Sequence, residues 1–201
     1  MELFENIECI TSHKGVFIHP TAVVAKTAQL GVGVKIGPRA VVGANVCLED
    51  NVMVGVGSVI EGHTIIGADS KIYSYATLGT IPQDLKFKGV DTRLIIGKKN
   101  LIREYVNISV GTDHGNYQTV IGDSNLFMAY CHIGHDCIIG NNNIFANCVH
   151  IAGHIEIGNR VTFGGMSGAH QFCKFGDYAM IAGGAMCTQD VLPFTLVHGN
   201  R

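Results

Sequence analysis

The sequence predicts an all-β chain, a parallel β-helix wound from six-residue repeats. A large apolar residue returns at every sixth position, a smaller residue returns two places before it, and glycine often follows it. The first frame runs through Ile18, Val24, Leu30, Ile36, Val42, Leu48, Val54, Ile60, Ile66, Ile72 and Leu78, and resumes at Ile96, Ile102 and Ile108. A second frame, one residue out of phase, carries Ile121, Phe127, Ile133, Ile139, Phe145, Ile151, Ile157, Phe163, Ala169, Phe175, Ile181 and Cys187. A period of six fits neither the 3.6 residues of an α-helical turn nor the 3.5 of a coiled coil. It fits a short strand with a turn at each end. Three such strands close one triangular coil of about 18 residues, and parallel pairing stacks successive coils about 4.8 Å apart.

Each part of the repeat has a place in that coil. The smaller slot reads Ala22, Ala28, Val34, Ala40, Val46, Val52, Ser58, Thr64, Ser70 and Ala76, then Cys131, Cys137, Asn143, Val149, Ile155, Val161, Ser167, Cys173, Ala179 and Ala185. Both slots point inward, so Cys131, Cys137, Cys173 and Cys187 are expected to be packing residues that behave as small hydrophobes. The glycine-rich runs GVGVKIG and GVGSVIEG punctuate turns; with no strand–helix unit around them they are not nucleotide loops. Two segments leave the frame. Thr80 to Ile95 contains proline and charged residues, and Leu78 and Ile96 are 18 positions apart, so the segment reads as one whole coil with a loop thrown out of it. Ser109 to Val120 carries GTDHGNYQ and causes the phase shift. Loops that interrupt a rigid solenoid tend to carry function. Residues 1–201 are expected to form a single domain with protruding loops near 80–95 and 109–120.

Composition excludes several classes. Lys plus Arg number 14 against 16 Asp plus Glu, for a net charge of −2, which leaves no basic stripe for nucleic acid. No run of 18 apolar residues exists for a transmembrane helix. The first fifteen residues lack the apolar stretch of a secretion signal. Seven cysteines without a Cys-x-x-Cys pair suit free thiols in a reducing cytoplasm.

The chemistry is expected on the outer face. His135 lies two places after anchor Ile133 and His132 one place before it, so neither occupies an inward slot. Asp136 follows His135 directly, and Gly153 lies one coil further on, about one strand spacing away. His150 stacks on His132, with His154 and His170 outward in the following coils. A neutral imidazole can take a proton from a hydroxyl near pH 7, a carboxylate can orient it, and a glycine can bring a backbone N–H to a developing oxyanion. Spacing alone leaves catalysis, a zinc site and solvated turns open. No Gly-x-Ser-x-Gly elbow is present, which disfavours a covalent serine mechanism.

The run YCHIGHDCIIGN, the later IAGH, AHQF and TQDV, and the loop stretch PQDLK resemble the acyl-[acyl-carrier-protein]–UDP-N-acetylglucosamine O-acyltransferase family from about Val16 to Asn200. The resemblance implies a left-handed parallel β-helix, the hexapeptide-repeat solenoid, and a cytoplasmic homotrimer with active sites in clefts between subunits. It implies transfer of a (3R)-hydroxyacyl chain from acyl carrier protein to the glucosamine 3-position of UDP-N-acetylglucosamine, the first step of lipid A biosynthesis, with no metal and no dissociable cofactor. Carried over by position, His135 resembles the general base, Asp136 its partner and Gly153 the oxyanion donor. His132, His154, His170, Gln171, Gln83, Asp84 and Lys86 match substrate-contacting positions, and Gly183 matches a position that sets acyl-chain length.

Family members continue into a C-terminal helical domain that contacts the UDP group; this chain stops at Arg201, so that domain is expected to be absent. The sister N-acyltransferase would need an N-terminal uridine-binding domain. A γ-class carbonic anhydrase would need a different histidine spacing from His132-x-x-His135. A CoA-dependent hexapeptide sugar acyltransferase and a non-catalytic trimeric scaffold are the competing readings.

Overall fold

The computed structural model describes residues 10, 11 and 15–199. The chain winds as a left-handed parallel β-helix with three sheets as its faces. Among the described residues the first face has eleven strands: Ile10–Thr11, which pairs antiparallel with Phe17–Ile18, and the parallel strands from Phe17–Ile18 to Leu196–Val197. The second has nine, from Val23–Val24 to Met186–Cys187, and the third eight, from Gln29–Leu30 to Lys174–Phe175. Most strands are two residues long, as a six-residue repeat with a turn at each end requires. Ile18 pairs with Ile36 and Ile133 with Ile151, so an uninterrupted coil takes 18 residues.

The repeat frame is the core. Anchors from Ile36 onward, Cys187 among them, are buried, as is the smaller slot from Val34 onward, including Cys131, Cys137 and Cys173. Burial pushes the Cys137 thiol up to about 12, which keeps it protonated and inert. Phe127, Phe145 and Phe163 stack through the interior with centroids 4.7 and 5.3 Å apart. Asn143 in a core slot is satisfied, because its Nδ2 donates to the Gly158 carbonyl and its Oδ1 accepts from the Val161 N–H.

The turns share one backbone feature. Three residues after each anchor from Ile121 to Phe175, a non-glycine residue sits in the left-handed region: φ is +64° at Tyr130, +59° at Asp136, +59° at Asn142 and +61° at His154. Asp and Asn tolerate that region better than most residues.

Both frame interruptions leave at the corner between the second and third faces. Ile66 pairs with Ile96, thirty positions on rather than 18, so twelve residues are added between the strands Thr77–Thr80 and Arg93–Ile96. The interval from Leu78 to Ile96 is therefore one six-residue step plus a twelve-residue loop, and not a whole coil. Ile96 pairs with Ile121, twenty-five positions on, so seven residues are added between Asn107–Ser109 and Gln118–Ile121, and seven is the source of the one-residue phase shift. The ladders resume in register after both.

Candidate active site

The second loop closes around one carboxylate. Asp136 is buried in the turn that follows strand His132–Ile133. Its Oδ1 accepts from the Asn116 N–H at 2.7 Å, and its Oδ2 from the Thr112 hydroxyl at 2.6 Å. The Thr112 N–H lies 3.1 Å from both oxygens. Gly115 passes so close that a Cβ there would strike the carboxylate. Burial alone would raise this carboxyl, but the hydrogen bonds from His135, Thr112 and Asn116 outweigh it and hold it at about 2. Asp136 is thus a fixed anion at neutral pH.

His135 is its partner: Nδ1 lies 2.8 Å from Asp136 Oδ2. An ionised carboxylate accepts only, so Nδ1 carries the proton and Nε2 presents its lone pair. The ring lies over Gly153, where a Cβ would fall 2.7 Å from Cε1; any side chain there would displace the imidazole. His154 closes the other side, edge-on with centroids 4.9 Å apart, and itself stacks on Phe172 at 4.7 Å. Burial pushes the His154 pKa down, so it is neutral at pH 7.

The first loop supplies the opposite wall. Asp84 Oδ2 lies 4.0 Å from His135 Nε2 and 2.8 Å from His114 Nε2. The Lys86 N–H and His114 hold the Asp84 carboxyl below the usual carboxylate range. The result is a cleft of about 850 Å³ lined by Gln83, Asp84, Lys86, His135, His154 and Gln171, all anticipated from the sequence, together with Leu85, His114, Gly115, Asn116 and Phe172.

Other expected residues lie apart from this cleft. His132 is on the outer surface of the second face, paired in register with His150. His170 is exposed beside Gln171. Gly183 sits in the turn between strands Met180–Ile181 and Met186–Cys187, at the corner between the first and second faces. The outer surface of the second face, through His132, His150 and Gly168, runs between the His135 and Gly183 corners.

One metal-like grouping exists among the described residues: donor atoms of His135, Asp136 and His154 lie within 4.8 Å of one another. Both Asp136 oxygens already accept N–H and O–H donors, so a cation would have to displace them. That donor set suits proton transfer better than coordination.

Residues 118–153 match the family model described as "Bacterial transferase hexapeptide (six repeats)". An acyl-[acyl-carrier-protein]–UDP-N-acetylglucosamine O-acyltransferase of Sulfurovum sp. (strain NBC37-1) is 52% identical over 184 residues, covering 92% of this chain and 71% of the relative. The chain belongs to the acyl-[acyl-carrier-protein]–UDP-N-acetylglucosamine O-acyltransferase family. The Neisseria meningitidis serogroup B member is 54% identical over the same share of each chain. A solved UDP-N-acetylglucosamine acyltransferase superposes with a TM-score of 0.91 at 46% identity, over 92% of this chain and 71% of that one. The one from Campylobacter jejuni gives 0.88 at 44% identity, over 92% and 72%.

Leu85, Thr112, His114, Gly115, Asn116 and Phe172 help to build the cleft in this member of the O-acyltransferase family and stand outside the site residues read from the sequence. Thr112 and Asn116 act largely through backbone N–H groups, which residue identity does not announce. His114 lies where the six-residue frame has lapsed, so no slot marks it as outward. The signal available was the loop itself, a polar insertion one coil before His135.

Proposed function

We propose that this chain moves a (3R)-hydroxyacyl group from the phosphopantetheine thioester of acyl carrier protein to the 3-hydroxyl of the glucosamine in UDP-N-acetylglucosamine, the first step of lipid A biosynthesis. The observation that carries the mechanism is His135 held through Nδ1 by a buried, ionised Asp136, with Nε2 turned toward Asp84 across the cleft. Nε2 takes the proton of the sugar hydroxyl as its oxygen bonds to the thioester carbonyl carbon. The Gly153 N–H, which donates to no backbone carbonyl among the described residues, is the donor for the tetrahedral oxyanion. Collapse breaks the C–S bond, and the imidazolium returns the proton to the departing thiolate. Asp136 stabilises that imidazolium without taking its proton.

Gln83, Asp84, Lys86, His154 and Gln171 bind the sugar nucleotide and acyl donor in the cleft. His132 and His170 contact substrate at its margins, and the acyl chain runs over the second face toward Gly183, which sets its length. The reaction needs no metal or dissociable cofactor. The working form is a homotrimer whose clefts lie between neighbours. This is supported by the apolar row on the third face, where Ile65 and Ile138 are exposed and Ile95 and Val120 half-buried. The compartment is the cytoplasm, in keeping with six unpaired cysteines among the described residues. No helix is long and apolar enough to cross a membrane among those residues.

The test is mass spectrometry of the products from UDP-N-acetylglucosamine and a mixed pool of hydroxyacyl carrier proteins, with acyl-CoA as the alternative donor. A 3-O-acylated sugar nucleotide made from the carrier-protein pool supports the reading. Product from acyl-CoA alone, or from neither donor, overturns it.

A further inference from the structure

The outer surface of the second face carries a polar column that the cleft does not account for. Thr77, Asn107 and His132 occupy the same position in three successive coils: Thr77 pairs with Asn107, and Asn107 with His132. Both N–H bonds of the Asn107 amide are engaged, since Nδ2 donates to Thr77 Oγ1 at 3.0 Å and to Thr80 Oγ1 at 3.1 Å. Its Oδ1 therefore faces His132, 2.8 Å from Nδ1. A carbonyl oxygen can only accept, so the nitrogen it meets is the one that carries hydrogen. Thr80 reaches the column because the first loop leaves the strand there, with a register shift between Leu78 and Thr80.

From this network we infer that Asn107 is a positioning residue: it locks His132 in the neutral tautomer protonated at Nδ1, leaving Nε2 as a fixed hydrogen-bond acceptor beside the His135 corner. The inference rests on the reading that His132 contacts substrate. It adds the chemistry of that contact: Nε2 accepts from a substrate hydroxyl or N–H and cannot donate to a carbonyl or phosphate oxygen. Burial, then the neighbouring His150 and His135, push the His132 pKa down, which keeps the ring neutral and the acceptor open at pH 7. Those two histidines are the titratable groups that act on it; Asn107, Thr77 and Thr80 bring no charge.

The column sets His132 apart from His135. The catalytic base is oriented by an anion, Asp136, through its Nδ1. His132 is oriented by an amide, which supplies direction without stabilising a positive charge. Exchanging amide for carboxylate would convert one kind of histidine into the other.

The experiment uses full-length protein labelled with ¹⁵N-histidine. In the wild type at pH 7.5, the His132 resonances should show a protonated Nδ1 and an unprotonated Nε2. An Nε2–H tautomer overturns the proposal at once, because the amide would then be turned the other way. Asn107→Leu should give a mixed tautomer and raise KM for one substrate by roughly ten-fold, with a smaller change in kcat. Asn107→Asp keeps the acceptor and so guards against loss of fold. It should preserve the Nδ1–H tautomer but raise the His132 pKa, moving the acid limb of kcat/KM to higher pH. Unchanged KM in Asn107→Leu together with an unmoved acid limb in Asn107→Asp would also overturn it. The tautomer is read without turnover, so absence of acyl transfer by the wild type would strike the proposed reaction and leave this measurement standing.

Discussion

Replacing Asp136 by Asn should cost both stability and turnover. The carboxyl is held at about 2 against an ordinary 3.8. At about 1.36 kcal/mol per factor of ten, that gap is worth roughly 2.5 kcal/mol of folding free energy at neutral pH. An asparagine loses the charge and also points an NH₂ group at a pocket that offers Asn116 N–H, Thr112 N–H and Thr112 hydroxyl donors. The loss should therefore reach at least that figure. The sign follows from the lowered pKa. The wild-type advantage is fully present above about pH 4 and disappears as pH falls through about 2, where the wild-type carboxyl is itself protonated. Urea titrations of Asp136→Asn and wild type at one protomer concentration, repeated down the pH scale, measure the difference. Turnover at pH 7 should fall by roughly 10² to 10⁴, because His135 loses the partner that sets its tautomer. Equal urea midpoints at pH 7, or a difference that does not shrink on acidification, would refute the assignment of Asp136 as a buried anion.

His135→Ala should lower kcat by roughly 10² to 10⁴ with a melting temperature close to wild type, since the side chain fills no core slot; activity and circular dichroism melts check both, and a chelator should leave wild-type turnover unchanged. His114→Ala removes the 2.8 Å contact to Asp84 and should raise KM for the sugar nucleotide about threefold to tenfold, the worth of about one hydrogen bond, with kcat less affected. Gly183→Met should shift the preferred acyl chain to shorter lengths, each excluded methylene weighing about 0.8 kcal/mol; the product profile from a mixed donor pool reads it. Light scattering at micromolar concentration should give three times the 21.5 kDa chain mass, and a clean monomer would remove the shared cleft.

The periodic parts of the molecule were legible because each core slot demands one kind of residue. Ile133, Cys137 and Phe145 announce their own burial, and by elimination His132 and His135 announce theirs as outward. Legibility failed where the period failed. The spacing from Leu78 to Ile96 equals a full coil by length, and only strand pairing distinguishes one step plus twelve residues from three steps. His114 had no slot to be read against. The donors from Thr112 and Asn116 to Asp136 are mostly backbone groups, and backbone N–H groups are the same in every residue but proline. Gly183 was named from the family resemblance alone, and its corner follows from the winding, which residue spacing does not reveal.

The winding places both added segments on one corner, twelve residues in one coil and seven in the next, with the strands on either side still paired in register. Scaffold and chemistry are therefore separable in the first loop and joined in the second, whose Thr112 and Asn116 hold buried Asp136 and whose Val110 packs in the core. Selection can rewrite the first loop's side of the cleft while the core slots keep their occupants, because Gln83, Leu85 and Lys86 are exposed and fill none of them. In a fold whose catalytic loop also seals the core, a change of substrate and a loss of stability arrive in the same mutation. The first loop escapes that coupling, and substrate contacts there can drift at little risk to the fold.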